Sequence, residues 1–478
     1  MISFLFSEYT NNINKDKFLE YVNNNAKRAD LIIEELRFSK MEINYFLLPI
    51  FIFGCYSFFE NNNMLFNLLL ITSVFTATSF INIGSKSFTI SFFIGLLYIL
   101  KTLFNVAKSK IKIKKRYINQ GLIIFIFVCF LSIIFTFRIE SDFKIISINS
   151  KEIYFNIDIL NSFLHFLYLF YCYFIYLSVK INFYQEIENY NNKIEKSKKY
   201  FYVSLLIIIF ISFYYYLDIY FYLKTGKDIL KFNDIFRMNP VRLLQGIRLP
   251  GPNLEPSMFA IFLLTYFCIL LNNKKAEIII LILGTLSTSS SFIVGIGIIF
   301  LYLLILGSKK EKIDILKMSI YLFFIAFLLL ICFEDIRNII FEIIEKFEGK
   351  NTSGIERRCS FLLMMNSFIK YPILGIGYAT SRSSDLISTW LANIGILGMW
   401  SFLYGVYLSG KRVVKINKNL YRALLIYWII AFISVPEPYF LYIWIIWGII
   451  DSSPKINNKK LTIRESNKNE NNISNTNI

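Results

Sequence analysis

Residues 276–306 read AEIIILILGTLSTSSSFIVGIGIIFLYLLIL, with Lys274-Lys275 just before them and Lys309-Lys310 just after. Glu277 is the one charge in the stretch. A helix in water needs a polar face, and neither half has one. Both halves have bilayer-spanning composition. The hydroxyl run Ser287-Thr288-Ser289-Ser290-Ser291 divides them, so the stretch reads as two short helices meeting at a turn. The same pattern, an apolar run closed by Lys, Arg or Asn, recurs along the chain. The runs fall approximately at 44–59, 64–83, 87–106, 121–137, 158–179, 200–221, 257–271, 276–288, 291–306, 317–333, 387–407, 421–435 and 439–450.

The composition agrees. Of 478 residues, 55% are hydrophobic and only 18% charged, against about 25% charged in an ordinary soluble chain. The expectation is an all-α, polytopic integral membrane protein with about 12 transmembrane helices and two large extracytoplasmic loops. The net charge of +18 does not point to nucleic acid, because the cations are scattered among short loops between apolar runs, the positive-inside pattern. The six cysteines include no C-x-x-C pair, so neither a disulfide framework nor a zinc site is expected. The opening MISFLFSEYTNNINKDK has no basic n-region or small-residue cleavage site, which leaves the first spanning helix to direct insertion.

Three regions follow: a cytoplasmic arm at 1–42, a transmembrane domain at 43–450 and a disordered cytoplasmic tail at 451–478. From residue 108 onward, alternating crossings put the basic loops Lys108–Arg116, Lys180–Lys199, Lys274–Lys275, Lys309–Lys317 and Gly410–Lys418 on one side, which is the cytoplasm. The first three segments fit less well, since three crossings from a cytoplasmic arm would leave Lys108–Arg116 outside. Either one of the three is re-entrant or the arm is external. The Ser run, Pro256 and Pro436-Glu437-Pro438 all project to the outer face. Broken helices are tolerated only where backbone is buried or lines a wet cavity, so a cavity is expected there.

The two outer loops, about 223–256 and 334–386, carry the unusual charges. The first holds Lys224, Lys227, Lys231, Arg237, Arg242 and Arg248 against Asp228, Asp234 and Glu255. The second opens with Ile336, Ile339, Ile340, Ile343, Ile344 and Phe347 at helical spacing, an amphipathic surface helix. Ser353-x-x-Glu356 then resembles a capping box for a helix running to Tyr371-Pro372. Arg357 and Arg358 follow that box. External arginines near membrane segments have two readings, solvated loop residues or a phosphate-binding set. Glu255, just before a Pro suited to a first helical turn, is either a carboxylate favoured by the helix dipole or a general base. Lys101 is expected to snorkel to the interface and Asp218 to be interfacial. His165, amid Phe and Leu, reads as a hydrogen-bonded interior residue before it reads as a catalyst. Glu437 has an outward reading into the cavity. Tyr378 and the run containing Ser289 either meet sugar hydroxyls or, for the Ser run, satisfy broken backbone.

Arg248-Leu-Pro-Gly251-Pro-Asn-Leu-Glu255-Pro256-Ser257 is similar to the R-x-x-G-x-x-x-E-P segment of the bacterial O-antigen polymerase and ligase family. Downstream, LILGTLSTSSSFIVGIG resembles the family's helix ending in a Thr/Ser-rich break. Arg358-Cys-Ser-Phe through Tyr371-Pro372-Ile-Leu-Gly375-Ile-Gly377-Tyr378 resembles its outer loop, and Gly395-Ile-Leu-Gly398 resembles the G-x-x-G opening the next helix. Together the motifs cover roughly residues 240–405.

The resemblance implies glycan transfer on the outer face of a bacterial cytoplasmic (inner) membrane, with a polyprenyl-pyrophosphate-linked oligosaccharide as donor. In the polymerase branch a second such unit is the acceptor; in the ligase branch the acceptor is lipid A core. It also implies work beside a flippase and a chain-length regulator. No metal and no cofactor are expected. The departing pyrophosphate needs charge stabilisation, assigned to Arg248 and Arg358, with Glu255 taking the acceptor proton. Arg242, Arg357, Tyr378, Ser289 and Glu437 are then the substrate-binding candidates. One departure is visible: ligase members and many relatives carry a His where this chain has Ser384-Asp385. That weakens the ligase reading and any His-based mechanism, and leaves the polymerase reading standing.

Overall fold

The computed structural model describes residues 42–83, 86–108, 118–139, 144–146, 152–154, 159–184, 190–225, 230, 232, 249, 251–253, 255–317, 319–320, 352–413 and 418–453. The arm at 1–41, the tail from 454, Arg242, Arg248, the amphipathic stretch 336–347 and most of the apolar segment 317–333 lie outside the described residues.

The described chain is mostly helical, and almost every apolar run becomes a helix. In order these are α1 (Leu48–Glu60), α2 (Asn62–Thr72), α3 (Ile90–Ala107), α4 (Gln120–Phe135), α5 (Ile159–Tyr184), α6 (Tyr190–Thr225), α7 (Pro256–Ile269), α8 (Lys274–Leu286), α9 (Ser290–Leu306), α10 (Thr352–Lys370), α11 (Leu386–Val413), α12 (Lys418–Ser434) and α13 (Leu441–Asp451). Four of them, over Ile90–Ala107, Ile159–Phe183, Asn192–Phe221 and Leu386–Lys411, are long and apolar enough to cross a membrane. Asn residues start many of the others. Asn61 is extended, ends α1 and accepts from Asn63 N, so one residue both stops a helix and caps the next. Asn119 and Asn273 accept from Leu122 N and Ala276 N in the same way.

Two readings change. The run 64–83 is not one segment: α2 stops at Thr72, and Ser79–Ile83 (β2) pairs antiparallel with Lys86–Thr89 (β3) and with Glu42–Ile43 (β1). The alternation around Phe80 and Phe88 suits a sheet, and Thr89 then caps α3 by accepting from Phe92 N. A second small hairpin joins Lys144–Ile146 and Glu152–Tyr154. In addition, α10 begins at Thr352, so Ser353 lies in its first turn rather than at its cap.

The helices alternate between two ends. One end is basic. There, Tyr190 Oη donates to Ile449 O, Asn419 Nδ2 to Leu271 O, and Arg422 forks onto Glu311. Lys180, Lys193, Lys198, Lys274, Lys309, Lys411 and Lys418 gather at this end through the ends of their helices. The opposite end collects the interruptions. Leu249 N donates to Leu286 O beside the Ser run, Thr76 bonds Asn253, Tyr378 N donates to Ser132 Oγ, and Tyr427 Oη donates to Glu437 O. The Ser run, Glu255-Pro256 and Pro436–Pro438 thus share one end, as expected. Glu42 lies there too, through β2, with three helical legs between it and residue 108.

Helix α13 is wholly buried, and α7 nearly so. Around them, α1, α3, α4, α6, α9 and α11 turn large apolar side chains outward, among them Phe59, Leu103, Phe127, Phe210, Leu301 and Trp400. Each such side chain costs about 1.5–3 kcal/mol when left in water rather than buried. Apolar cover on this scale is compatible with an all-α membrane protein. Helices α4 and α11 approach closely, and a Cβ on Gly121 would lie 2.3 Å from Gly405 N. Small residues at such crossings are how helices pack without a hydrophobic drive. Lys101 does not simply snorkel: its ammonium donates to Phe58 O and Phe59 O and closes the end of α1. Asp218 is buried within the protein rather than interfacial.

Candidate functional site

At the end that collects the interruptions, Gly395 breaks α11 with φ 64° and ψ −168°. The break frees backbone groups, and the segment 371–377 takes them. Ile376 N donates to Ala392 O (2.8 Å), Gly377 N to Asn393 O (3.0 Å), and Ile396 N to Pro372 O (2.9 Å). Gly375 and Gly377 also have positive φ. A Cβ on Gly375 would sit 2.3 Å from Ala392 O, and one on Gly395 2.3 Å from Ile373 O. The two glycine motifs of the sequence are therefore two halves of one joint.

Beyond that joint the chain runs from Tyr378 to Asp385 and forms one wall of a cleft. The opposite wall is Pro436-Glu437-Pro438-Tyr439, and His165 of α5 completes the lining. The cleft is open-mouthed and shallow, with a cavity volume of about 50 Å³. Arg382 Nη2 lies 3.6 Å from Glu437 Oε2 across it. Tyr378 and Tyr439 share a hydroxyl–hydroxyl bond of 2.8 Å. Burial pushes the Tyr378 phenol well above its usual range, so it stays a neutral donor and acceptor. Asn393 fixes the wall, accepting from Ser381 Oγ (2.6 Å) and donating to Ser381 O (2.8 Å). Asp385 is the buried cap of α11, accepting from Ser388 N (2.8 Å), Ser388 Oγ (2.7 Å) and Ser383 Oγ (3.0 Å).

Helix α10 covers this region from one side. Ser360 Oγ is 3.2 Å from Ser383 Oγ, and Ser381 Oγ donates to Met364 Sδ. Arg357 on α10 is partly buried. Burial lowers the pKa of its guanidinium, while the charges of Glu255 and Asp385 oppose that fall. One polar surface thus runs from Glu255 and Arg357 through Asp385 and Ser383 to Arg382 and Glu437.

The predicted residues separate accordingly. Glu437 and Tyr378 line the cleft. Arg357 and Glu255 lie within electrostatic reach of each other, and Ser257 Oγ bonds Glu255 Oε2 at 3.3 Å. Glu255 is the residue preceding α7 but gives it no side-chain cap. Arg358 is exposed on α10 and is not among the cleft residues. Ser289 is the buried N-cap residue of α9 and does not line the cleft either. Its neighbour Ser287 donates to Gly284 O, the backbone-satisfying alternative. The sequence reading missed Arg382, Asn393 and Tyr439 as members of the site. It also placed His165 in the interior, whereas that ring is part-exposed in the cleft wall. Among the described residues, no three His, Cys, Asp or Glu side chains cluster as metal ligands do.

No family model, no curated protein and no solved structure matches the chain. The resemblance described above rests on its motifs.

Proposed function

We propose that the protein is a glycan polymerase. It joins polyprenyl-pyrophosphate-linked repeat units on the outer face of a bacterial cytoplasmic membrane, which it crosses about 12 times. The carrying observation is the cleft with its Arg382–Glu437 pair, flanked by Arg357 and Glu255, at the end away from most of the described lysines. With the basic end cytoplasmic, the cleft faces outward. Glu42 then lies on the outer side as well, which supports the external alternative for the arm over the cytoplasmic one.

The chemistry asks little of such a site beyond charge and placement. Pyrophosphate leaves as an anion, and a guanidinium held in a half-buried cleft stabilises it without reorganising. The hydroxyl and aromatic walls suit sugar rings. The supporting contrast is with a lipid-linked oligosaccharide flippase, which needs a path between the two ends. Beneath the cleft, Trp390, Phe402, Trp428 and Trp447 pack ring on ring at 4.7–6.0 Å, which favours chemistry at one surface.

The test is the surface glycan of a deletion strain on a gel, complemented with wild type, Arg382→Ala and Glu437→Gln. A polymerase leaves single repeat units and no ladder when deleted, and the variants fail to restore the ladder at normal abundance. Loss of the single units together with the ladder would favour the ligase or flippase. Full ladders from both variants would place the site elsewhere.

A further inference from the structure

The chain has one histidine, His165. Its ring stacks on Tyr439 at 5.9 Å between centroids and 28° between planes, and it lines the cleft with Arg382 and Glu437. Transfer between lipid-linked units requires the acceptor hydroxyl to lose a proton as its oxygen attacks the anomeric carbon. The carboxylates at this end are poorly placed to take it. Asp385 is engaged by three hydrogen bonds as a helix cap. Glu255 is not among the cleft residues, and Glu437 is ion-paired with Arg382. A carboxylate beside a cation holds its charge but loses basicity. Imidazole is the one side chain that ordinarily exchanges a proton between pH 5 and 8.

We propose that His165 is the proton acceptor of the transfer, a role that rests on the polymerase reading. The acceptor O–H proton passes to the imidazole. The oxygen lone pair forms the new bond to the anomeric carbon, and the bond to pyrophosphate breaks with its electron pair on the leaving oxygen. The imidazolium then returns its proton to water. The ionisable groups that share the cleft with the ring are Tyr378 and Arg382 from the 378–385 wall and Glu437 and Tyr439 from the Pro436 turn. Tyr168 on its own helix has its ring 5.4 Å from that of Tyr439, and Cys129 of α4 and Cys172 of α5 lie within electrostatic reach of Tyr439.

The experiment uses membranes holding the full chain and the repeat units accumulated there, following ladder growth between about pH 5.5 and 8. Wild-type growth should slow as pH falls through that range. His165→Gln should grow about 100-fold more slowly with the pH limb gone, while Glu437→Gln should be slower with the limb retained. Added imidazole should restore part of the rate of His165→Ala. A flat wild-type profile overturns the proposal even if His165→Gln fails to accumulate, and so does a His165→Gln protein with wild-type rate. Ladder growth in membranes lacking the protein altogether would instead overturn the polymerase reading itself.

Discussion

Single residues at both ends hold their charge for different reasons. Asp385 stands where relatives of the resembling family carry His, and here it is spent on structure. It satisfies a helix N-terminus and two hydroxyls while buried. Asp385→Ala should therefore cost about 2 kcal/mol, read as a lower melting temperature in detergent. At the basic end, Arg422 forks onto Glu311 at 2.5 and 3.1 Å, and that hydrogen-bonded guanidinium lowers the Glu311 carboxyl from 4.5 to about 2. A depressed carboxyl stabilises the fold above its unfolded pKa and loses that contribution as pH falls through the folded one. Wild-type protein should thus lose melting temperature below about pH 4.5 down towards pH 2. Glu311→Gln, already less stable at neutral pH, should lack that component of the loss. An equal acid response in both proteins would show that the pair is not linked to folding.

Among the elements, the joint between 371–377 and the broken α11 is the most demanding. Its glycines adopt backbone angles that side chains resist, and the space for a Cβ is occupied by backbone. Gly395→Ala should cost on the order of 2–4 kcal/mol and abolish ladder formation, with Gly398→Ala, where φ is not positive and the contacts are to the Ile394 side chain, less severe. Much of this level was legible: the apolar runs locate the helices, and Pro and the Ser run locate their interruptions. The β2–β3 hairpin was not, because Phe80, Ile81, Ile83 and Phe88 are as apolar as the neighbouring helices. Sheet and helix compete for such residues, and only the turn-like Gly84-Ser85 and the cap at Thr89 distinguish them. The two glycine motifs were visible as motifs, but their mutual docking is a long-range contact that no local pattern encodes.

At the scale of the whole molecule, one ion pair among the described residues lies fully inside. Lys180 and Asp451 meet at 3.2 Å with side chains 1% and 0% exposed. Tyr176 and Asn119 add hydrogen bonds, and Ser409 ties Asn119 to Trp447. Helices α4, α5, α11 and α13 all contribute, and the last three also lead up to the cleft. Removing one partner leaves a bare buried charge, so Asp451→Leu should cost about 3–5 kcal/mol. Lys180→Met with Asp451→Leu should recover most of it, and a double-mutant cycle of unfolding free energies checks this. Glu437 and Tyr378 could be picked out along the chain, whereas His165, Arg382 and Asn393 become one site only when α5, the loop before α11 and α11 itself converge. The packed rings of Trp390, Phe402, Trp428 and Trp447, which run inward from the cleft floor, carry a further consequence: packing without gaps leaves no wet path for ions. The protein should therefore leave a charged vesicle electrically tight, and Trp428→Gly, which opens that packing, should make it leak; a leaky wild type would show that the rings do not seal.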